Sequence, residues 1–162
     1  MKVKEVMSTS LVTVLPTASF REVWKSIYKR KINALPVVDK NNKLLGIVVK
    51  ESLLERLYPD YTELFSFNGD LPDFEEMESK ILELGSLTAE DIMAKRLVYT
   101  REDTPVMRAL SRMIVRRLNQ LPVLSDKGTL VGVITKGDIF YAVFKTYMKR
   151  LPRRSAGRKK TK

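Results

Sequence analysis

Residues 5–50 recur, without a gap, 86 positions further along the chain. Glu5-Val6-Met7 is matched by Asp91-Ile92-Met93, and Leu11-Val12 by Leu97-Val98. Asn33-Ala34-Leu35-Pro36-Val37 is matched by Asn119-Gln120-Leu121-Pro122-Val123, and Leu44-Leu45-Gly46-Ile47-Val48 by Leu130-Val131-Gly132-Val133-Ile134. Each copy is about 55 residues long, too short to bury much surface alone. Repeats of this kind become stable by stacking their apolar faces. Two copies with matching faces are therefore expected to pack about a pseudo-twofold axis.

Both copies read as the same β-α-β-β-α unit, which makes the chain an α/β protein. Val12-Thr13-Val14 is a short β-type stretch. Ser19-Phe20-Arg21-Glu22 is a capping box, and Phe20, Val23, Trp24 and Ile27 then fall on one helical face. Val106, Ala109, Leu110 and Met113 repeat that spacing, with Pro105 suited to the first helical turn. Ala34–Val38 and Leu44–Val49 read as strands joined through the turn residues Asp39-Lys40-Asn41-Asn42, as does Asp126-Lys127-Gly128 in the second copy. Closing helices are expected from about Lys50 to Leu57 and from about Lys136 to Tyr147. Trp24 and the methionine stripes are expected in the core.

The organisation that follows is residues 1–57 for the first repeat, 58–88 for an insert, 89–148 for the second repeat and 149–162 for a tail. The insert carries Phe74, Met77, Ile81 and Leu84 at near-helical spacing, so a short amphipathic helix is expected from Asp73 to Leu84. Charge follows the same divisions. Residues 1–57 and 92–148 are each +6, residues 58–91 are −9, and the tail carries 8 basic and no acidic side chains. The tail has no apolar face and is expected to be disordered. It is either a solvated terminus or a non-specific arm for a nucleic acid or another polyanion.

The chain has no cysteine and no histidine. That excludes a disulfide scaffold, a thiolate metal site and a Ser–His hydrolase, and removes the commonest general base. Binding is favoured over catalysis, and no metal or required cofactor is expected. No apolar run approaches a membrane span and the N-terminus has no secretory h-region, so a cytoplasmic location is expected.

Gly132-Val133-Ile134-Thr135-Lys136-Gly137-Asp138 is the strongest local motif. It lies where a strand gives way to a helix, whose free N–H groups suit a phosphate. Thr135 adds a hydroxyl, and Asp138 offers two acceptors for a pair of ribose hydroxyls. The same four residues from Thr135 also approximate a capping box with Asp in place of Glu. The first copy has Val49 and Ser52 at the matching positions, so the helix does not require the pair. Lys29-Arg30-Lys31 and Arg116-Arg117 close the first helix of each copy. They read either as charge favourable to a helix C-terminus or as a phosphate clamp.

The repeated Met, Leu-Val, helix, Leu-Pro-Val and Gly-x-Ile-Thr-x-x-Asp pattern resembles a tandem cystathionine-β-synthase (CBS) domain pair, or Bateman module. The resemblance covers about 110 residues, in both copies and in order. It implies a ligand-sensing regulatory module, not an enzyme, that takes AMP, ADP, ATP or S-adenosylmethionine in clefts between the repeats. The better site would combine Thr135, Asp138, Gly132, Val133 and Ile134 with Met7 and Val12. Ile32, Asn33, Ala34 and Pro36 would complete that pocket, and Arg30 or Lys31 would reach phosphates. A second, weaker site would combine Val49 and Ser52 with Met93, Val98, Leu118, Asn119 and Pro122, with Arg116 and Arg117 drawing an anion. The resemblance further implies a homodimer formed by the exposed helices and an effector protein as partner. The alternative is a nucleic-acid-binding protein that uses the basic tail, with the CBS pair as scaffold or switch.

Overall fold

The structure, a computed structural model, describes residues 1–57 and 74–148, with only the backbone of residues 74–77. Most of the expected acidic insert, including Asp73 and the side chains of Phe74 and Met77, and the whole basic tail lie outside the described residues. Each repeat is built on an antiparallel hairpin. In the first, β1 (Ala34–Val38) pairs with β2 (Leu44–Val49), with Ala34 opposite Val49 and Val37 opposite Gly46. In the second, β4 (Gln120–Leu124) pairs with β5 (Leu130–Thr135) in the same register, with Gln120 opposite Thr135. The hairpin turns place Asn42 (φ 61°) and Gly128 (φ 82°) in the left-handed region. Asp39 holds the first turn by accepting from the N–H groups of Asn41 and Lys43, each at 2.8 Å.

The expected first strand is smaller than its β-branched sequence suggests. In the first repeat it contracts to one parallel bridge, Val14 to Val37. In the second it is β3, the two residues Thr100–Arg101, which pair in parallel with Val123 and Leu124. Strand propensity alone forms no ladder, and the chain here meets β1 or β4 only over these residues.

Helix α1 (Phe20–Arg30) opens on the expected capping box: Ser19 Oγ accepts from Glu22 N at 3.3 Å, and Glu22 accepts from Ser19 N at 2.8 Å. Val23 and Ile27 are buried, but Trp24 is 36% exposed. It stacks between Phe20 and Tyr28 on the outer side of the helix and is not a core residue. The methionines divide as well: Met113 is fully buried and Met107 is 56% exposed. Helices α2 (Lys50–Glu55), α5 (Val106–Val115) and α6 (Lys136–Met148) fall where the repeat places them. Between the repeats, α3 (Phe74–Gly85) is the insert helix, and Leu84 is buried on it. Among the described residues, no helix is long and apolar enough to cross a membrane.

What joins the repeats is an exchange of their leading segments. Val3 lies in a 3₁₀ turn (Val3–Glu5) and is buried in the core of the second repeat with Val106, Met113, Leu121 and Ile134. Ala89 and Ile92, on the short helix α4 (Ala89–Ile92), are buried in the core of the first repeat with Val23, Ile27, Leu35 and Val48. The two crossings are pseudo-symmetric down to single bonds. Ser8 and Val133 exchange N–H···O bonds at 2.9 and 3.0 Å, and the equivalent Ala94 and Ile47 do so at 2.9 and 3.2 Å. A third cluster, Val38, Leu44, Leu124 and Leu130, seals the axis, where Lys43 bridges its own counterpart Thr129. The two repeats thus form one folded unit about a pseudo-twofold axis.

Two glycines make the crossings possible. A Cβ on Gly46 would fall against Met93 Sδ and within 2.9 Å of Met93 Cβ, and one on Gly132 would lie 2.6 Å from Met7 Sδ and 3.1 Å from Ser8 O. Gly46→Ala is expected to cost about 1–3 kcal/mol through overpacking. Met93→Ala in the same chain should return part of that loss, so a double-mutant cycle by urea unfolding will show a non-additive pair.

Helix starts contribute to the acid stability, beside Asp103, whose carboxyl is held below its ordinary value by hydrogen bonds from Lys4 and Lys2. Hydrogen bonds from Ser19 hold Glu22 below its ordinary value of 4.5, and bonds from Thr88 hold Asp91 below 3.8. Carboxylates lowered in the folded state contribute fully above those ordinary values. The contribution is lost as pH falls through the lowered ones. The unfolding midpoint is expected to drop between about pH 5 and about pH 3. The drop should be shallower in Glu22→Gln/Asp91→Asn, read by thermal unfolding across that range.

Candidate functional site

The two hairpins face one another across a cleft, and each carries a Leu-Pro strand whose entry is tied to the closing helix of its own repeat. Asn33 O accepts from Lys50 N at 2.9 Å, and Asn119 O accepts from Lys136 N at 3.0 Å. Between them lies a cavity of about 290 Å³. The first hairpin contributes Asn33, Ala34, Pro36, Ile47 and Val49 to its walls, and the second Asn119, Gln120, Pro122 and Val133. The crossing segment from Ala94 to Val98 closes one side through Ala94, Arg96, Leu97 and Val98. Leu118 and Arg117 line it from the end of α5, and Glu51 from the start of α2. Apolar walls with a few charged or amide groups suit a flat ring carrying a polar substituent.

The cavity draws on both sets of expected residues. It brings together Asn33, Ala34, Pro36 and Val133 from the first set with Val49, Val98, Arg117, Leu118, Asn119 and Pro122 from the second. The rest of the first set lies outside its lining. Ile134 is fully buried in the second repeat's core, and Met7 packs against that core and over Gly132. Val12 and Ile32 pack on the first repeat's core, while Arg30 and Lys31 are exposed at the end of α1. Of the second set, Met93 packs on the first core, Ser52 is exposed on α2, and Arg116 lines a separate groove.

Thr135 and Asp138 bond to one another. Asp138 Oδ2 accepts from Thr135 N at 2.9 Å and from Thr135 Oγ1 at 2.8 Å, and Thr135 Oγ1 accepts from Asp138 N at 3.0 Å. That is a reciprocal capping box at the start of α6, the second of the two roles open to these residues.

Arg117 reaches the cavity because of its backbone. It sits at φ 54° just beyond α5, with Leu118 N bonded to Met113 O at 2.8 Å, a Schellman ending. Lys31, at φ 52°, occupies the equivalent place after α1. Arg116 keeps φ −91° while Arg117 is left-handed, and the two neighbours line different hollows. Sequence reading missed Ile47, Glu51, Ala94, Arg96, Leu97 and Gln120. Their signal is topological: Ala94 to Leu97 follow Met93 across to the other repeat, which periodicity does not reveal.

Asp138→Ala is expected to destabilise the fold by about 1 kcal/mol through the lost cap, or roughly 2–4 °C. Asp138→Glu, which restores the usual capping-box residue, should recover most of it. Parallel thermal and urea unfolding will measure both.

Comparison with known proteins agrees with this architecture. The CBS domain matches twice, over residues 3–59 and 89–145. A CBS domain-containing protein of Dictyostelium discoideum is 32% identical over 143 residues, covering 88% of this chain and 91% of that one. The CBS-pair protein CBSX2 of Arabidopsis thaliana superposes with a TM-score of 0.74 at 24% identity, covering 93% of this chain and 98% of that one. Its AMP complex superposes at 0.69, with 24% identity, covering 90% and 97%. The CBS domain pair of protein MJ0100, in complex with 5′-methylthioadenosine and S-adenosylmethionine, superposes at 0.65 with 24% identity, covering 90% and 98%. Two matched domains, each completed by the leading segment of the other, show that this chain belongs to the CBS domain family as a tandem pair.

Proposed function

We propose that the chain is a ligand-sensing module, without a catalytic step, that binds an adenosine compound in the cleft and regulates a partner protein. The observation that carries this reading is the cavity of about 290 Å³ walled by both Leu-Pro strands. A ligand there touches both repeats and so discriminates between their relative orientations, the condition for any ligand-driven output. CBS-pair proteins of the same fold have been crystallised with AMP and with 5′-methylthioadenosine and S-adenosylmethionine.

The adenine ring would lie between Ala34, Pro36, Val98 and Pro122. Arg117 and Arg96 would draw an anionic group. The carboxylate that Ser52 fails to provide is offered one residue earlier by Glu51, which lines the cavity and can accept from ribose hydroxyls. The Thr135–Asp138 site would be the second place of binding, with Asp138 Oδ1 offered to ribose hydroxyls beside the capping bonds that Oδ2 accepts. Two copies would pair through the outer helices, where Tyr28, Met107, Ile114, Phe140 and Phe144 are exposed. The nucleic-acid reading rests on the eight basic residues of the tail, and nothing in the cleft favours it.

Thermal unfolding against AMP, ADP, ATP and S-adenosylmethionine tests the reading. A ligand at about 100 times its dissociation constant stabilises by roughly 2.7 kcal/mol, a rise of about 5–10 °C. Ala94→Trp, at an exposed rim position, should fill the cavity and abolish the shift while Asp138→Ala keeps it. The opposite pattern would put the ligand at Thr135 and Asp138. No shift with any of the four would end the sensor reading, and sedimentation of the same samples decides the dimer.

A further inference from the structure

A second hollow, of about 470 Å³, lies between β3 and α5 and shares only Leu97 and Val98 with the cleft cavity. Four arginines line it: Arg101 from the strand, and Arg108, Arg112 and Arg116 from successive turns of one helix face. Successive positions are about 6 Å apart along the helix. Thr100, Thr104 and Tyr99 complete the lining.

Among the described residues, local structure does not neutralise this charge. Helix α5 contains no acidic residue. The guanidinium groups of Arg108 and Arg116 make no hydrogen bond or ion pair among the described residues, and that of Arg112 is held by Tyr99 O. Among the described residues, Arg101 pairs with Asp126 at 3.6 Å, with Asp126 98% exposed, and donates to Ser125 O at 3.1 Å. Asp103 is taken up by Lys2 and Lys4, at 3.1 and 2.9 Å. Arg108 also lies in the first turn of α5, where the helix dipole disfavours a cation, and like charges four residues apart repel. Thr100 is 1% exposed and its hydroxyl has no hydrogen-bond partner.

The first repeat supplies an internal control. It forms the equivalent hollow, about 540 Å³, lined by Thr17 and Lys25 and, further, by Val14, Leu15, Ala18, Glu22 and Ser26. The last five stand where the second repeat has Thr100, Arg101, Thr104, Arg108 and Arg112. The fold makes the hollow without a lining arginine, so the arginine cluster of the second repeat is not demanded by folding.

We propose that the arginine-lined hollow binds a compact oligophosphate, an anion of two or more linked phosphate groups, either free or as the tail of a nucleotide. Guanidinium groups pair phosphate oxygens two at a time. Several cations around one small volume match a multiply charged anion better than a single phosphate. Half-exposed Tyr99 offers a face for a base if the anion is a nucleotide tail. The site is independent of the ligand assigned to the cleft.

The test is calorimetric titration of the full chain with sodium tripolyphosphate at low salt. The comparison is with Arg108→Glu/Arg116→Gln, which places the first repeat's own Glu at the helix start and neutralises a second unpaired arginine. Wild type is expected to bind, with affinity falling as salt rises. The double variant should bind at least tenfold more weakly with an unchanged unfolding midpoint. Arg117→Gln and Ala94→Trp, which alter the cleft, should bind tripolyphosphate as wild type does. Repeating the titration with ATP in the Ala94→Trp chain separates the sources. Tighter binding of ATP than of tripolyphosphate, lost in Tyr99→Leu, identifies a nucleotide tail, and equal binding identifies a free oligophosphate. No binding by wild type overturns the proposal. So does equal binding by the double variant, which would put the anion on another basic segment such as the tail.

Discussion

Neither repeat has a complete core of its own. Val3 fills the space between Val106, Met113 and Leu121, and Ala89 and Ile92 do the same among Val23, Leu35 and Val48. A unit of this size buries too little to stand alone, and the exchange gives each repeat apolar surface carried by the other. The backbone is committed as firmly as the side chains, because Ser8–Val133 and Ala94–Ile47 each exchange two hydrogen bonds. Gly46 and Gly132 lie directly under the crossing methionines. Unfolding one repeat therefore strips the other, and the pair should behave as a single cooperative unit.

The position of the cleft follows from that exchange. The segment that leaves the first core at Met93 must return to its own repeat, and its path through Ala94, Leu97 and Val98 walls the cavity. The chain that stabilises the pair is thus also the chain that would touch a ligand. Under the proposed function, a bound molecule and the packing of the repeats would act on the same few residues, and this coupling would give the module a route to an output. Leu97 and Val98 also line the arginine hollow, so the two cavities share one wall.

Pseudo-symmetry separates what folding requires from what it does not. Features equal in both copies, such as the Leu-Pro pairs, the glycines under the crossings and the left-handed backbone at Lys31 and Arg117, are those the architecture uses twice. Positions that differ carry the divergence between the copies: Val49 against Thr135, Ser52 against Asp138, Glu22 against Arg108. Both hollows flanking the first helices exist, and only that of the second repeat is lined by arginines.

Local features were legible in the residues because their causes are local. The Ser19–Glu22 capping box, the hairpin turns, the closing helices and a helix ending near Leu84 all follow from patterns within a few residues. The repeat itself announced two units that must pack together. Trp24 was misjudged because helical spacing defines a face but not its edge, and the core closes on Val23 and Ile27. The Val12–Val14 strand shrank because a strand needs a neighbour, and only Val14 meets one. Which leading segment enters which core, and which arginine of a neighbouring pair enters the cleft, depend on contacts between residues far apart in the chain. Composition and periodicity determined the kinds of element and their doubling. Tertiary packing alone decided where the two halves cross, because that choice minimises exposed apolar surface over the whole pair and not within any one segment.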